Sequence, residues 1–152
     1  MKIIVDSNII FSALLRTHST FGQIIFNSGG LFEFYSAQYM RTEIRRHWKK
    51  LLKLSKLTEQ QLEESHYTLL AKITFINEEI IHQKIWGESE KLVDGIDIDD
   101  IDFVALTKHL KGRLWTGDHA LRDGLKNRGF KNVMTTNEIL KLWTIRKNQP
   151  LQ

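Results

Sequence analysis

Four acidic residues occupy positions where a folded chain of this pattern would bring them together: Asp6, Glu43, Asp100 and Asp118. Asp6 closes the apolar run Ile3-Ile4-Val5, and Asp118 closes Leu114-Trp115-Thr116-Gly117. Asp100 lies in the cluster Asp97-Ile98-Asp99-Asp100-Ile101-Asp102, just ahead of the apolar segment Phe103-Val104-Ala105-Leu106. Carboxylates that follow parallel strands converge on the crevice at the strands' carboxyl ends. Gathered in one place they repel one another unless a hard cation neutralises them. The pattern therefore predicts an enzyme that depends on Mg²⁺ or Mn²⁺. Cysteine is absent, and the six histidines show no close ligand spacing, so thiolate or imidazole metal chemistry is disfavoured. His47 and His119 each lie near a proposed acid and are candidates for substrate contact.

Each acid taken alone has an ordinary explanation, because Asp is a favoured helix cap and turn residue. The argument rests on the combination. Ser7 and Asn8 follow Asp6 and are expected to cap the next helix or to support the site. A haloacid-dehalogenase-type phosphatase would need a second Asp at position 8, where this chain has Asn8. A receiver-type phosphoacceptor would need an acidic pair at the first strand, where Asp6 stands alone. Glu43 shares a helical face with Arg46, His47 and Lys50, while Ile44, Trp48, Leu51 and Leu52 form an apolar stripe on another face. Among the clustered acids Asp100 is assigned to the interior. Asp97, Asp99 and Asp102 are expected to cap, solvate or support, with Asp99 or Asp102 open as the true ligand. Gly117 is expected to allow a tight turn or a close backbone approach, and Thr116 to support the site.

These residues need elements to position them. Lys2 to Val5 reads as a buried strand. Phe21, Ile24 and Ile25 read as a helical face ended by Gly29-Gly30, and residues 31–36 as a second strand. Met40 to Leu54 reads as one long amphipathic helix. Thr58 and Gln61 form a capping box for a helix through about Ala71. Residues 73–76 read as a short strand, residues 81–92 as a helix, and Asp99 or Asp100 as the cap of a helix through Leu110. Arg113 to Thr116 reads as a strand and His119 to Asn127 as a helix. Val133 and Met134 read as a last strand, and Thr136 as the cap of a final helix. Strands alternating with helices predict an α/β fold with a parallel sheet.

At 152 residues and 41% apolar content, the chain fits one domain, taken as residues 1–146 with a polar tail over 147–152 that holds the single proline, Pro150. No apolar run approaches the roughly 20 residues of a membrane helix. The first residues meet Asp6 too early for a secretory signal. With no cysteine, a cytoplasmic location is expected. The net charge of +4 is uneven: residues 41–56 hold seven Lys or Arg against Glu43 alone. Such a stretch suggests either a polyanion partner or a solvated helix face. Arg45, Arg46, Lys49, Lys50 and Lys53 are the candidates for contacting phosphates. The four tryptophans read as core or interface anchors, and Phe21, Phe26 and Trp143 as core or the surface of a homodimer.

The segments Ile4-Val5-Asp6-Ser7-Asn8-Ile9, Glu43 opening a helix, Asp100-x-x-Phe103-Val104-Ala105-Leu106 and Leu114-Trp115-Thr116-Gly117-Asp118 together resemble the PIN-domain nucleases. That family includes the VapC-like toxin ribonucleases and related stand-alone proteins. Gly129-Phe130 through Thr135-Thr136-Asn137-Glu138 resembles its closing strand and helix. The resemblance implies a three-layer α/β/α sandwich with a central parallel sheet of four to five strands. It implies one or two Mg²⁺ or Mn²⁺ ions at Asp6, Asp100 and Asp118, with Glu43 as a fourth catalytic acid and Ser7, Asn8, Asp99 and Thr116 in support. It also implies hydrolysis of single-stranded or structured RNA, and an antitoxin protein as a partner if the chain is a toxin. A non-catalytic PIN-like module that binds RNA or protein is the alternative.

Overall fold

The computed structural model describes residues 1–149; Pro150 and the last two residues of the expected tail lie outside them. Five strands form one parallel sheet in the order β3-β2-β1-β4-β5. They are β1 (Lys2–Val5), β2 (Glu33–Ala37), β3 (Ile73–Ile76), β4 (Arg113–Trp115) and β5 (Val133–Met134). With helices on both sides, this is the expected three-layer α/β/α arrangement. Ile3, Ile4 and Val5 are all fully buried, as a central parallel strand covered on both faces requires. From β1 the chain builds outward through β2 and β3, then returns to place β4 on the other side of β1. The strand order therefore reverses between β1 and β4, where a crevice opens at the carboxyl ends.

The helices around the sheet are α1 (Ser7–Leu15), α2 (Thr20–Asn27), α3 (Met40–Arg46), α4 (Trp48–Ser55), α5 (Glu59–Lys72), α6 (Gln83–Val93), α7 (Ile101–Leu110), α8 (His119–Asn127) and α9 (Thr136–Lys147). Helix α7 packs across β1, β2 and β4 and against α6; α1 packs against α2, α4 and α5. Among the described residues no helix is long and apolar enough to cross a membrane. Ser36 Oγ donates to the carbonyl of Val5 at 2.9 Å, tying β2 to the end of β1 beside the crevice.

Several local expectations need correction. Asp6, rather than Ser7 or Asn8, caps α1, accepting from the amide of Ile9. Thr135, rather than Thr136, caps α9 in a capping box with Glu138. Thr136 instead accepts from the Trp115 indole at 3.0 Å. The helix expected over 40–54 bends at His47 into α3 and α4. Backbone hydrogen bonds continue through the bend, from His47 to Glu43 and from Leu51 to His47. It coincides with the His47 ring standing edge-on against Phe11, a tertiary contact with no local sequence marker. The capping box of Thr58 and Gln61 is formed as expected. Trp143 is buried and Phe21 stacks against the buried Trp115, so both belong to the core.

Glycine is demanded at one helix contact. A Cβ at Gly22 would lie 2.3 Å from the Thr17 carbonyl oxygen, a backbone atom that cannot swing aside. At Gly117 an added Cβ meets only Ile9 Cδ1 at 4.0 Å, so the close approach expected there is not used. Gly22→Ala should cost about 1–3 kcal/mol in urea unfolding, whereas Gly117→Ala should stay within about 0.5 kcal/mol of the parent.

Candidate metal centre

The crevice is built from the ends of β1 and β4. Asp6 leaves β1 with its side chain 2% exposed, and its backbone amide donates to the carbonyl of Trp115 at 3.4 Å. Oδ1 of Asp6 accepts from the Ile9 amide at 3.0 Å, and the nearby Thr116 hydroxyl favours the charged form of the same carboxylate. Thr116 Oγ1 in turn accepts from the Asp118 amide at 3.1 Å. One hydroxyl thus couples the two acids that end neighbouring strands. Asp118 caps α8, with Oδ1 accepting from Leu121 at 3.1 Å. Burial pushes the Asp6 carboxyl up to about 6, and the nearby Asp118 charge adds to this; the donated hydrogen bonds oppose it.

Asp100 reaches the crevice from a single 3₁₀ turn that leads into α7. It occupies the cap position of α7 but makes no side-chain capping bond, so its carboxylate is free to face inward. Burial pushes it up to about 7, reinforced by a hydrogen bond with Asp97 and by the charges of Asp97, Asp6 and Asp118. Asp97, Asp100 and Asp118 each present a carboxylate oxygen, and the three oxygens lie within 4.8 Å of one another. From its sequence context, Asp97 is expected to cap, solvate or support the site. It does cap the turn, accepting from Asp99 at 3.0 Å, and it also joins this oxygen cluster. Its position three residues before Asp100, one helical turn away, was the signal that could have found it. Asp99 is exposed at the pocket rim.

Asp97, Asp99, Asp100 and Asp102 border a pocket of about 590 Å³ that also takes in Glu43, Tyr39, Ser7 and Asn8. Asp6 lies outside both this lining and the oxygen cluster and meets Asp100 and Asp118 through their charges. Glu43 is held by Arg46 and by His47 Nε2 at 3.5 Å. Tyr39 was not singled out by sequence, although it stands four residues before Glu43 on one helical face. Its amide donates to Glu78 Oε1 at 2.8 Å and its ring packs on Phe103. Burial first, then the charges of Asp102, Asp100, Glu43 and Glu78, keeps its hydroxyl protonated far above the usual range. Burial and Glu78 likewise raise Asp102. His119 follows Asp118 and is exposed.

The five basic candidates are all exposed but are not equivalent. Arg45 is committed away from the crevice, paired with both oxygens of Glu63 and stacked over the Trp48 ring. Arg46 is paired with Glu43. Among the described residues Lys49, Lys50 and Lys53 have no ion-pair partner.

The donor set is oxygen only, crowded and short of positive charge, which suits Mg²⁺ or Mn²⁺ rather than a soft metal. Two carboxyls raised by burial and mutual repulsion have the electrostatics of a cation site. The residues present therefore fit such an ion.

The model of the PIN domain family matches residues 4–147. No curated protein sequence matches the chain. Among solved structures, the fold is similar to a chain of the crystal structure of VapBC2 from Rickettsia felis bound to a DNA fragment from their promoter. The likeness has a TM-score of 0.60 at 13% identity and covers 89% of this chain and 97% of that one.

A carboxyl raised in the folded state favours folding while protonated. Asp6 therefore stabilises the metal-free protein below its ordinary value near 3.8, and that contribution is lost as pH rises to about 6. Measured against Asp6→Asn, so that groups such as the buried His66 cancel, wild type should lose at most about 3 kcal/mol between pH 4 and pH 7. Mn²⁺ at neutral pH should restore that stability to wild type and not to Asp6→Asn. A pH profile identical in the two proteins would contradict this assignment.

Proposed function

Because the chain belongs to the PIN-domain family, we propose that it is a metal-dependent endoribonuclease and the toxin half of a toxin–antitoxin pair. The observation that carries the reading is the convergence of Asp97, Asp100 and Asp118 near the strand-order reversal, with the buried charge of Asp6 felt by Asp100 and Asp118 and with Glu43 in the pocket that Asp97 and Asp100 line. The family match covers the segments that supply these acids. The likeness to a chain of VapBC2, a complex described as bound to promoter DNA, supports pairing with an antitoxin. A ribonuclease toxin acts on RNA in the cytoplasm, and the uneven basic charge suits such a polyanion.

Asp6, Asp100 and Asp118 would hold one or two Mg²⁺ or Mn²⁺ ions, with Asp97 as a further oxygen donor. When bound, such an ion lowers the pKa of water and relieves charge on the phosphoryl group. The chain's own residues prepare that chemistry. Thr116 links Asp6 and Asp118 by accepting from the Asp118 amide while its hydroxyl stabilises the charged Asp6 carboxylate. Glu43, poised by Arg46 and His47, orients the attacking water. The Tyr39 hydroxyl, kept neutral by its acidic neighbours, is a donor that can approach a phosphate without adding charge. Asn8 and Ser7 line the entrance and supply short polar contacts.

Purified protein should cleave single-stranded RNA with Mg²⁺ or Mn²⁺ and not with EDTA. Asp6→Asn and Asp100→Asn should each lose on the order of a hundredfold or more, since the ion supplies several kcal/mol of charge stabilisation. Equal cleavage by the variants would assign the activity to a contaminant. Stabilisation by Mn²⁺ without any cleavage would favour the non-catalytic binding module.

A further inference from the structure

A second hollow opens beside the acidic pocket, between α1 and α4, with a volume of about 330 Å³. Asn8, Phe11 and His47 line both, so the two form one continuous groove. Beyond them the chemistry changes. Leu15, Leu51 and Leu54 join Phe11 to make an apolar floor, and Lys50 stands at the edge. Leu54 is 54% exposed, although α4 is otherwise lysine-rich along its outer side. Lys50 and its neighbours Lys49 and Lys53 have no acidic partner among the described residues.

We propose that this groove binds a nucleotide of single-stranded RNA that flanks the scissile phosphate, an inference that rests on the nuclease reading above. The base lies on Phe11 and the leucines, and its phosphate faces Lys50. A nucleotide repeats the pairing the groove presents, an apolar stacking face beside an anion, and stacking on an aromatic ring is tolerant of base identity. The cation the groove offers, Lys50, is left over after Arg45 and Arg46 are committed elsewhere. Glu43 and Lys50 are seven residues apart across the bend, roughly 10 Å along the helices. A stacked strand covers that distance in about three nucleotides at ~3.4 Å each. A strand can thus pass from the carboxylates to the lysine without a break.

The test measures binding of short fluorescent single-stranded RNAs in an Asp100→Asn background that suppresses turnover, with Mg²⁺ present, alongside cleavage by the active parent. Phe11→Leu keeps the apolar packing but removes the aromatic face, and Leu54→Ser changes an exposed side chain with little risk to folding. Phe11→Leu should weaken binding by about fivefold or more. Leu54→Ser should weaken it in the same direction. Lys50→Ala should lower the slope of log K against log salt by about 1. An abasic residue scanned along the RNA should cost affinity at one position, and Phe11→Leu should abolish that cost. If the parent cleaves RNA while all three variants bind it unchanged, the inference is overturned and the groove belongs to a protein partner. If the parent neither binds nor cleaves RNA, the nuclease reading fails and the inference falls with it.

Discussion

The buried carboxylate of Asp6 is the constraint on which the rest depends. It ends a strand that is covered on both faces, so solvent cannot screen it. Three groups offset part of that cost: the amides of Ile9 and Asn8 and the hydroxyl of Thr116. Each requires a particular piece of fold. The amides require α1 to start directly after β1, and the hydroxyl requires β4 to lie beside β1. The offset is incomplete, because Asp118 and Asp100 bring further negative charge to the same place. A structure selected for stability alone would replace one of these acids. Their presence together in one crevice is the physical basis for reading it as a cation site.

Capping and ligation are compatible roles for the same side chains. Asp6 and Asp118 both cap helices, which is the ordinary explanation for an Asp after a strand. In each, Oδ1 is the atom engaged by the cap, which leaves the second oxygen for another partner. The cap fixes the carboxylate's direction, and rigid placement is what a metal or phosphate site requires. Asp100 differs, since it sits at a cap position without capping. Asp97 performs that task one turn earlier and frees Asp100.

The basic segment divides in a similar way. Arg45 and Arg46 are used within the protein, one to join α3 to α5 and the other to hold Glu43. Among the described residues the lysines of α4 have no such ion-pair partner, and they are exposed, as is Leu54. A count of positive charges between residues 41 and 56 merges these two populations. The bend at His47 and the position of α5 separate them.

The sequence by itself determined the sheet and the order of its elements, and it singled out Asp6, Glu43, Asp100 and Asp118 as candidates for the crevice. Those follow from short-range rules: an apolar run of length four, an acid at its end, a capping box, a helix-period stripe. The strands at 2–5, 73–76 and 133–134 were legible for that reason, as was the box at Thr58 and Gln61. Only the tertiary structure decided which of the acids at 97–102 meet. Asp97 joins Asp100 and Asp118 because a 3₁₀ turn orients it toward a strand end well removed in sequence. Tyr39, the bend at His47 and the diversion of Arg45 to Glu63 were likewise settled by partners distant along the chain. Local sequence fixes backbone dihedrals and periodicity, whereas the energy of a charge depends on every other charge and on the water excluded around it. That sum exists only once the chain has closed around the crevice.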